Sequence, residues 1–175
     1  MKNQFYTGVG SRNTPVEIQH FMTQIAFKLK SMDWTLRSGA AKGADTAFEM
    51  GAGTQKQIFL KEQATAQAMT IAENFHPAWN RCSDFAKRLH GRNAFQVLGI
   101  DLKTPSKFLL CWTPDACISH EQRTIRTGGT GTAISIAEFF GVKVFNLAIE
   151  FHRKRLETMC IGLNHFYQEE QEKTL

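Results

Sequence analysis

Residues Thr127 to Gly141 read TGGTGTAISIAEFFG, in which three glycines and three threonines fill the first six positions before an apolar helical pattern begins. A helix start leaves four backbone N–H groups without intrahelical acceptors, and the aligned peptide dipoles put partial positive charge behind them. Glycine has no Cβ, so an anion can approach such amides closely. The stretch therefore reads as a phosphate seat, with Gly128, Gly129 and Gly131 giving access and Thr130 and Thr132 adding hydroxyl donors. A plain strand-to-helix turn has the same composition, so one loop alone decides nothing.

Two further loops of this kind, TGVGSR at 7–12 and RSGAAKGAD at 37–45, each follow a strand-like run. Strand patterns appear in QFYTGVGS, WTLRSG, QKQIFLK, SKFLLCWTPD and VKVFNLA. Between them lie helical patterns. Ile18, Phe21, Met22, Ile25, Ala26 and Leu29 follow the i, i+3, i+4, i+7 rule after Pro15, with Asn13 or Thr14 as the expected cap. A second helix within 40–52 is expected to stop at Gly51 or Gly53. The region 63–90 reads as helical but broken at His76-Pro77. Further helices are expected over about 131–140 and 149–168.

Alternating strands and helices predict an α/β, Rossmann-like doubly wound fold. Its sheet is mostly parallel, of at least five strands, with helices on both faces. Right-handed crossovers bring the carboxyl ends of the strands to one edge, where ligands sit at the reversal of strand order. The three glycine loops would gather there. No repeat or linker divides the chain, so 1–175 is expected to form a single domain with a frayed tail over 169–175.

The candidate ligand-binding residues follow from that edge: Gly8, Gly10, Ser11 and Arg12 in the first loop, and Ser38, Gly39, Gly43 and Asp45 in the second. Arg12 suits bidentate pairing with a phosphate or carboxylate; a surface salt bridge is the plainer reading. Ser38 can donate to an anion or cap the following helix. Asp45 suits a ribose hydroxyl or the loop backbone, but a carboxylate is favourable at a helix start in any case. Arg92 and Asn93 stand near an expected helix end, within reach of a base or phosphate, or simply solvated. Trp112 and Thr113 close the longest strand, where the indole can stack on a base or pack in the core. Glu49, one turn after Asp45, reads first as a solvated helix residue.

The balance of 21 basic against 16 acidic residues gives a net charge of +5, which favours anionic partners without choosing among them. Cys82, Cys111, Cys117 and Cys160 show no CxxC spacing and read as reduced thiols. The six histidines are scattered along the chain, so neither a metal site nor a cofactor is expected. No apolar run approaches membrane-spanning length. The strand-like start leaves no room for a signal peptide, so the expected location is the cytoplasm.

The stretches GVGSRNTP, RSGAAKGADTAFE and GGTGTAISIAEFFGVKVFNL, taken in order, resemble the SLOG superfamily, which includes the DprA/Smf and LOG-like proteins. The likeness covers about 1–62 and 104–148 and is nearest to the YspA/YpsA-like and phage-encoded DprA-like members. It implies a Rossmann-like domain that binds nucleotides or their derivatives, often as a dimer or tetramer. Phage-type members suggest a sponge that sequesters a signalling nucleotide in the host cytoplasm. LOG enzymes carry a glycosidic-bond glutamate in PGGxGTxxE; here Thr127 replaces the proline and Ser135 occupies the glutamate position. Glu138, three positions further, points elsewhere on the helix.

Three readings follow. The first is nucleotide binding with little or no turnover. The second is a nucleotide N-glycosidase or phosphoribohydrolase, for which Asp45 or Glu49 would have to supply the missing carboxylate. The third, ranked below these, is a DprA-like mediator on single-stranded DNA, using Phe75, Trp79, Arg81, Lys87 and Arg88 as a basic aromatic strip. An amphipathic helix with a solvated basic face accounts for that strip equally well.

Overall fold

A computed structural model describes residues 4–158 of the chain. The expected tail, the second half of the last helix and Cys160 lie outside the described residues. Five strands form one sheet: β1 (Gln4–Gly8), β2 (Trp34–Ser38), β3 (Lys56–Ile58), β4 (Phe108–Cys111) and β5 (Lys143–Asn146). Their order is β3-β2-β1-β4-β5, and every pairing is parallel. The fold is α/β and doubly wound, consistent with a Rossmann-like architecture. Strand order reverses between β1 and β4, where Thr7 pairs with Leu109 and Gly8 with Leu110.

Helices α1 (Val16–Ser31) and α2 (Ala44–Ala52) cover one face. Met22, Ile25, Ala26 and Leu29 of α1 pack there with Phe48, Leu36, Tyr6 and Leu110. Helices α3 (Ala66–Glu73), α4 (Asp84–Leu98) and α5 (Thr130–Phe139) cover the other face. Phe95, Val97 and Leu98 of α4 meet Ile134, Ile136 and Ala137 of α5 over Leu109 and Cys111. A further helix, α6, begins at 150 and sets Leu156 against the cluster on the α1/α2 face. Strands covered on both faces are apolar along most of their length, which is why FLLC reads as one continuous run. Among the described residues no helix is long and apolar enough to cross a membrane.

Two local expectations are corrected. Neither Asn13 nor Thr14 caps α1. Pro15 is the N-cap residue, and the Thr14 hydroxyl donates instead to Ser11 O at 2.7 Å, closing the first loop on itself. Nor does a helix end near Arg92: α4 runs on through Gly91 to Leu98. Gly91 is there for contact, since a Cβ would stand 2.8 Å from Met69 Cγ on the neighbouring α3. The break at His76-Pro77 is observed, with a 3-10 turn at Trp79–Arg81 between α3 and α4.

Candidate functional site

At the carboxyl edge, over the reversal between β1 and β4, lies a cleft of about 330 Å³. Gly10, Ser11 and Arg12 form one wall, Gly128, Gly129 and Thr130 another, and α4 contributes Arg92, Asn93 and Gln96. Asp45 closes the floor. Three segments far apart in sequence therefore meet at the position expected for ligands in such sheets.

The third loop is the one that bares its backbone. The amides of Gly128, Gly129 and Thr130 find no acceptor among the described residues, while those of Gly131 and Thr132 already bond the Gly128 and Gly129 carbonyls. Gly128 has φ +60°, a conformation that side chains resist, and nothing lies within 4 Å of where its Cβ would be. The turn is held from behind. Asp115 accepts from the hydroxyls of Thr124 and Thr127, and Asn93 Nδ2 donates to Gly129 O at 3.1 Å. Burial pushes the Asp115 carboxyl up, but these hydroxyl donors outweigh it and hold it down at about 2.

The first two loops act differently. Val9 and Ser11 amides are spent on the Leu110 and Trp112 carbonyls, both at 3.1 Å. In the second loop Ala41 N–H points to Asp45 Oδ2 and Ala44 N–H to Ser11 O, both at 3.4 Å. That loop offers the cleft a carboxylate rather than amides.

Asp45 is 3% exposed, and its pKa is pushed up to about 6. Burial is the main cause; the Arg92 guanidinium and the Ala41 and Gly39 amides oppose it, and Glu49 adds to it. Arg92 is itself half-buried, and its pKa is lowered by desolvation. Its Nη1 donates to Gly39 O at 2.7 Å, but its Nε, like both polar atoms of the Gln96 amide, is buried without a partner. A buried, unpartnered donor costs on the order of 1–3 kcal/mol. The exposed Arg12 makes no ion pair among the described residues.

Several candidate residues serve the frame instead. Ser38 donates to Gly8 O at 2.7 Å, and a Cβ on Gly8 would strike Phe48 and Leu36. Gly43 backs onto the Ser11 and Arg12 carbonyls, and Gly39 lies under the Arg92 and Gln96 side chains. Trp112 packs against the cluster on the α1/α2 face, and Thr113 is fully buried, bonded to Asn146 Nδ2 at 2.8 Å. Gly131 makes room for Arg123, and Thr132 bonds His90 Nδ1 at 3.0 Å. Glu49 pairs with Lys56 at 3.0 Å. Within the proposed aromatic strip, Phe75 packs on Phe139 and Trp79 lies beside His76 and His90.

Ser135, at the glutamate position of the LOG motif, is buried and fully engaged. It donates to Gly131 O at 2.9 Å, accepts from Arg123 Nη1 at 3.1 Å and meets His120 Nδ1 at 2.9 Å. No carboxylate stands there to act on a sugar.

Sequence reading missed His90, Gln96 and Arg126, all of which line the cleft. Gln96 was in reach: it follows Arg92 by four residues, so a continuous helix puts both on one face. A second opening of about 570 Å³ adjoins the cleft, lined by His76, His90, His120 and Arg123 as well as Gly128 and Gly129. His76, Cys82 and His90, distant enough in sequence to look scattered, set one potential ligand atom each within 4.8 Å of one another. No protein-family model, curated protein or solved structure gives a significant match to this chain.

Proposed function

We propose that this chain binds a nucleotide or nucleotide-derived small molecule, in the manner of the SLOG proteins its three motifs resemble. The observation that carries the reading is the convergence of acceptor-free amides and basic side chains on one cleft. Gly128, Gly129 and Thr130, whose backbone N–H groups find no acceptor among the described residues, line the same cleft as Arg12 and Arg92. A phosphate is the ligand that such amides and guanidiniums suit. Arg12 adds a solvent-facing cation at the rim.

The volume suits a mononucleotide-sized moiety, with the adjoining opening extending it. A phage-type sponge for a signalling nucleotide, acting in the cytoplasm of a host cell, is the role this reading favours. Self-association belongs to it as well, supported by the outward Ile125, Phe139 and Phe151 side chains.

Calorimetry with a panel of mononucleotides, dinucleotides and cyclic nucleotides tests the reading. Binding of at least one at micromolar strength or better, weakened in Arg92→Ala, is expected. No binding across the panel overturns it.

One observation favours a second reading, N-glycosidic hydrolysis. Asp45 is a buried carboxylate in the cleft with its pKa moved toward neutrality, as a general acid or base requires. Free base and ribose phosphate appearing from a nucleoside monophosphate, and vanishing in Asp45→Asn, would establish it. Binding without products leaves the first reading alone.

A further inference from the structure

We infer that His76, Cys82 and His90 form a site for a divalent transition metal, with zinc the best fit. Two imidazole nitrogens and one thiolate sulfur are a donor set of the borderline-soft kind that zinc takes, with a fourth position left for water or an anion. His76 and Cys82 flank the 3-10 turn after α3, and His90 projects from α4. The three potential ligand atoms lie within 4.8 Å of one another. Tetrahedral zinc with the usual bond lengths places nitrogen and sulfur ligands about 3.6 Å apart. Cys82 Sγ stands 3.8 Å from His76 Nδ1 and 3.7 Å from Nε2, already close to that spacing.

The surroundings are those of ligating histidines. His90 Nδ1 lies 3.0 Å from the hydroxyl of the fully buried Thr132, which orients the ring and, with the proton on Nδ1, leaves the Nε2 lone pair for a metal. His76 Nδ1 accepts from the Ala78 amide at 3.1 Å, so this nitrogen is unprotonated and a metal takes it only by displacing that hydrogen bond, with the proton left on Nε2. Cys82 Sγ contacts the Ala78 carbonyl and the His76 ring. Metal capture forms a metal–sulfur bond and sends one thiol proton to solvent.

His76 and His90 both line the opening that passes over Gly128 and Gly129. A metal held there is open to solvent on that side. Arg123 acts electrostatically on both histidines, and Arg92 on His90. Zinc with one thiolate keeps a net positive charge among these guanidiniums, which makes an anion the favoured fourth ligand. The site needs no nucleotide, so its test is separate from that of the cleft.

Untagged protein stripped with chelator is titrated with cobalt(II) and, separately, with zinc. The expected result is one equivalent bound, with visible ligand-field bands of tetrahedral cobalt and a thiolate-to-cobalt band in the near ultraviolet. About one proton should be released per zinc, read from calorimetry in buffers of different ionisation enthalpy. Cys82→Ala and His76→Gln should each lower zinc affinity at least about 100-fold, and Thr132→Val about 10-fold through the His90 ring. Circular dichroism checks that each variant is folded, and either of the first two suffices if the other is not. No stoichiometric binding, no thiolate band, or wild-type affinity in a folded Cys82 or His76 variant overturns the inference.

Discussion

Arg92 sits over Gly39, donating to its carbonyl at 2.7 Å, in the space a side chain would otherwise fill: a Cβ on Gly39 would stand 2.6 Å from the guanidinium carbon. Arg92 thus fixes the second loop while its side chain also lines the cleft. Arg92→Ala should weaken an anionic ligand by on the order of 1–3 kcal/mol, and Arg92→Lys should recover little because an ammonium cannot serve both roles. Arg12→Ala, on the open rim, should cost less. Calorimetry on the three variants checks the order. Equal losses for Arg12 and Arg92 would remove the special role given to the buried guanidinium.

Asp45 gives the metal-free protein a measurable pH response. Its folded pKa of about 6 exceeds the ordinary 3.8, so between those values the folded chain holds a proton that the unfolded chain has lost. Stability from this group is therefore full below pH 4 and falls as pH rises to 6, by on the order of 2–3 kcal/mol. His90 has the opposite slope. Burial, with His76, Arg123 and Arg92 adding to it, takes its pKa down to about 4, so stability from it rises with pH up to about 6.5. The two nearly cancel in the wild type. Asp45→Asn should unmask the His90 slope and raise the melting temperature at pH 7, and thermal unfolding from pH 4 to 8 reads both effects.

Gly129 and Gly131 separate binding from folding. At Gly129 the nearest atom to an added Cβ is His90 Cε1, at 3.8 Å, and φ is an ordinary −63°. Gly129→Val should leave the fold within about 1 kcal/mol and fill the anion seat, abolishing ligand binding. At Gly131 the Cβ would stand 2.4 Å from Arg123 Nε. Gly131→Val should expel Arg123 from its bonds to Phe75 O and Ser135 Oγ, at a cost of several kcal/mol. Denaturant melts together with ligand titration distinguish the two.

The DNA reading has its own signature. Affinity for single strands should fall steeply as salt rises if phosphates are neutralised in number. Phe75 and Trp79 are committed to packing on Phe139 and beside His90, which leaves little for base stacking, so only weak single-strand binding is expected even at low salt. Filter binding at two ionic strengths measures it.

The sheet was legible because local patterns determine it. Strands β1 and β2 announced themselves by the small-residue loops that follow them and β4 by its apolar run, and parallel pairing follows from helical crossovers. The first and third loops were legible as cleft walls for the same reason. What could not be read was which groups in a loop are already spent. Ser38, Thr113 and Thr132 look like donors in sequence, yet each faces a protein partner supplied by a distant strand or helix. The reach of α4 was hidden by Gly91, whose poor helix propensity is outweighed by close packing on Met69. With α4 cut short there, Gln96 and the approach of His90 to His76 and Cys82 were lost from view.

Helix α4 carries His90 on the metal side and Arg92, Asn93 and Gln96 on the cleft side, all within seven residues. One helix thus supplies side chains to both places. If the proposed metal and the proposed ligand both bind, whatever factor loading one imposes on the affinity of the other must be returned in the opposite direction.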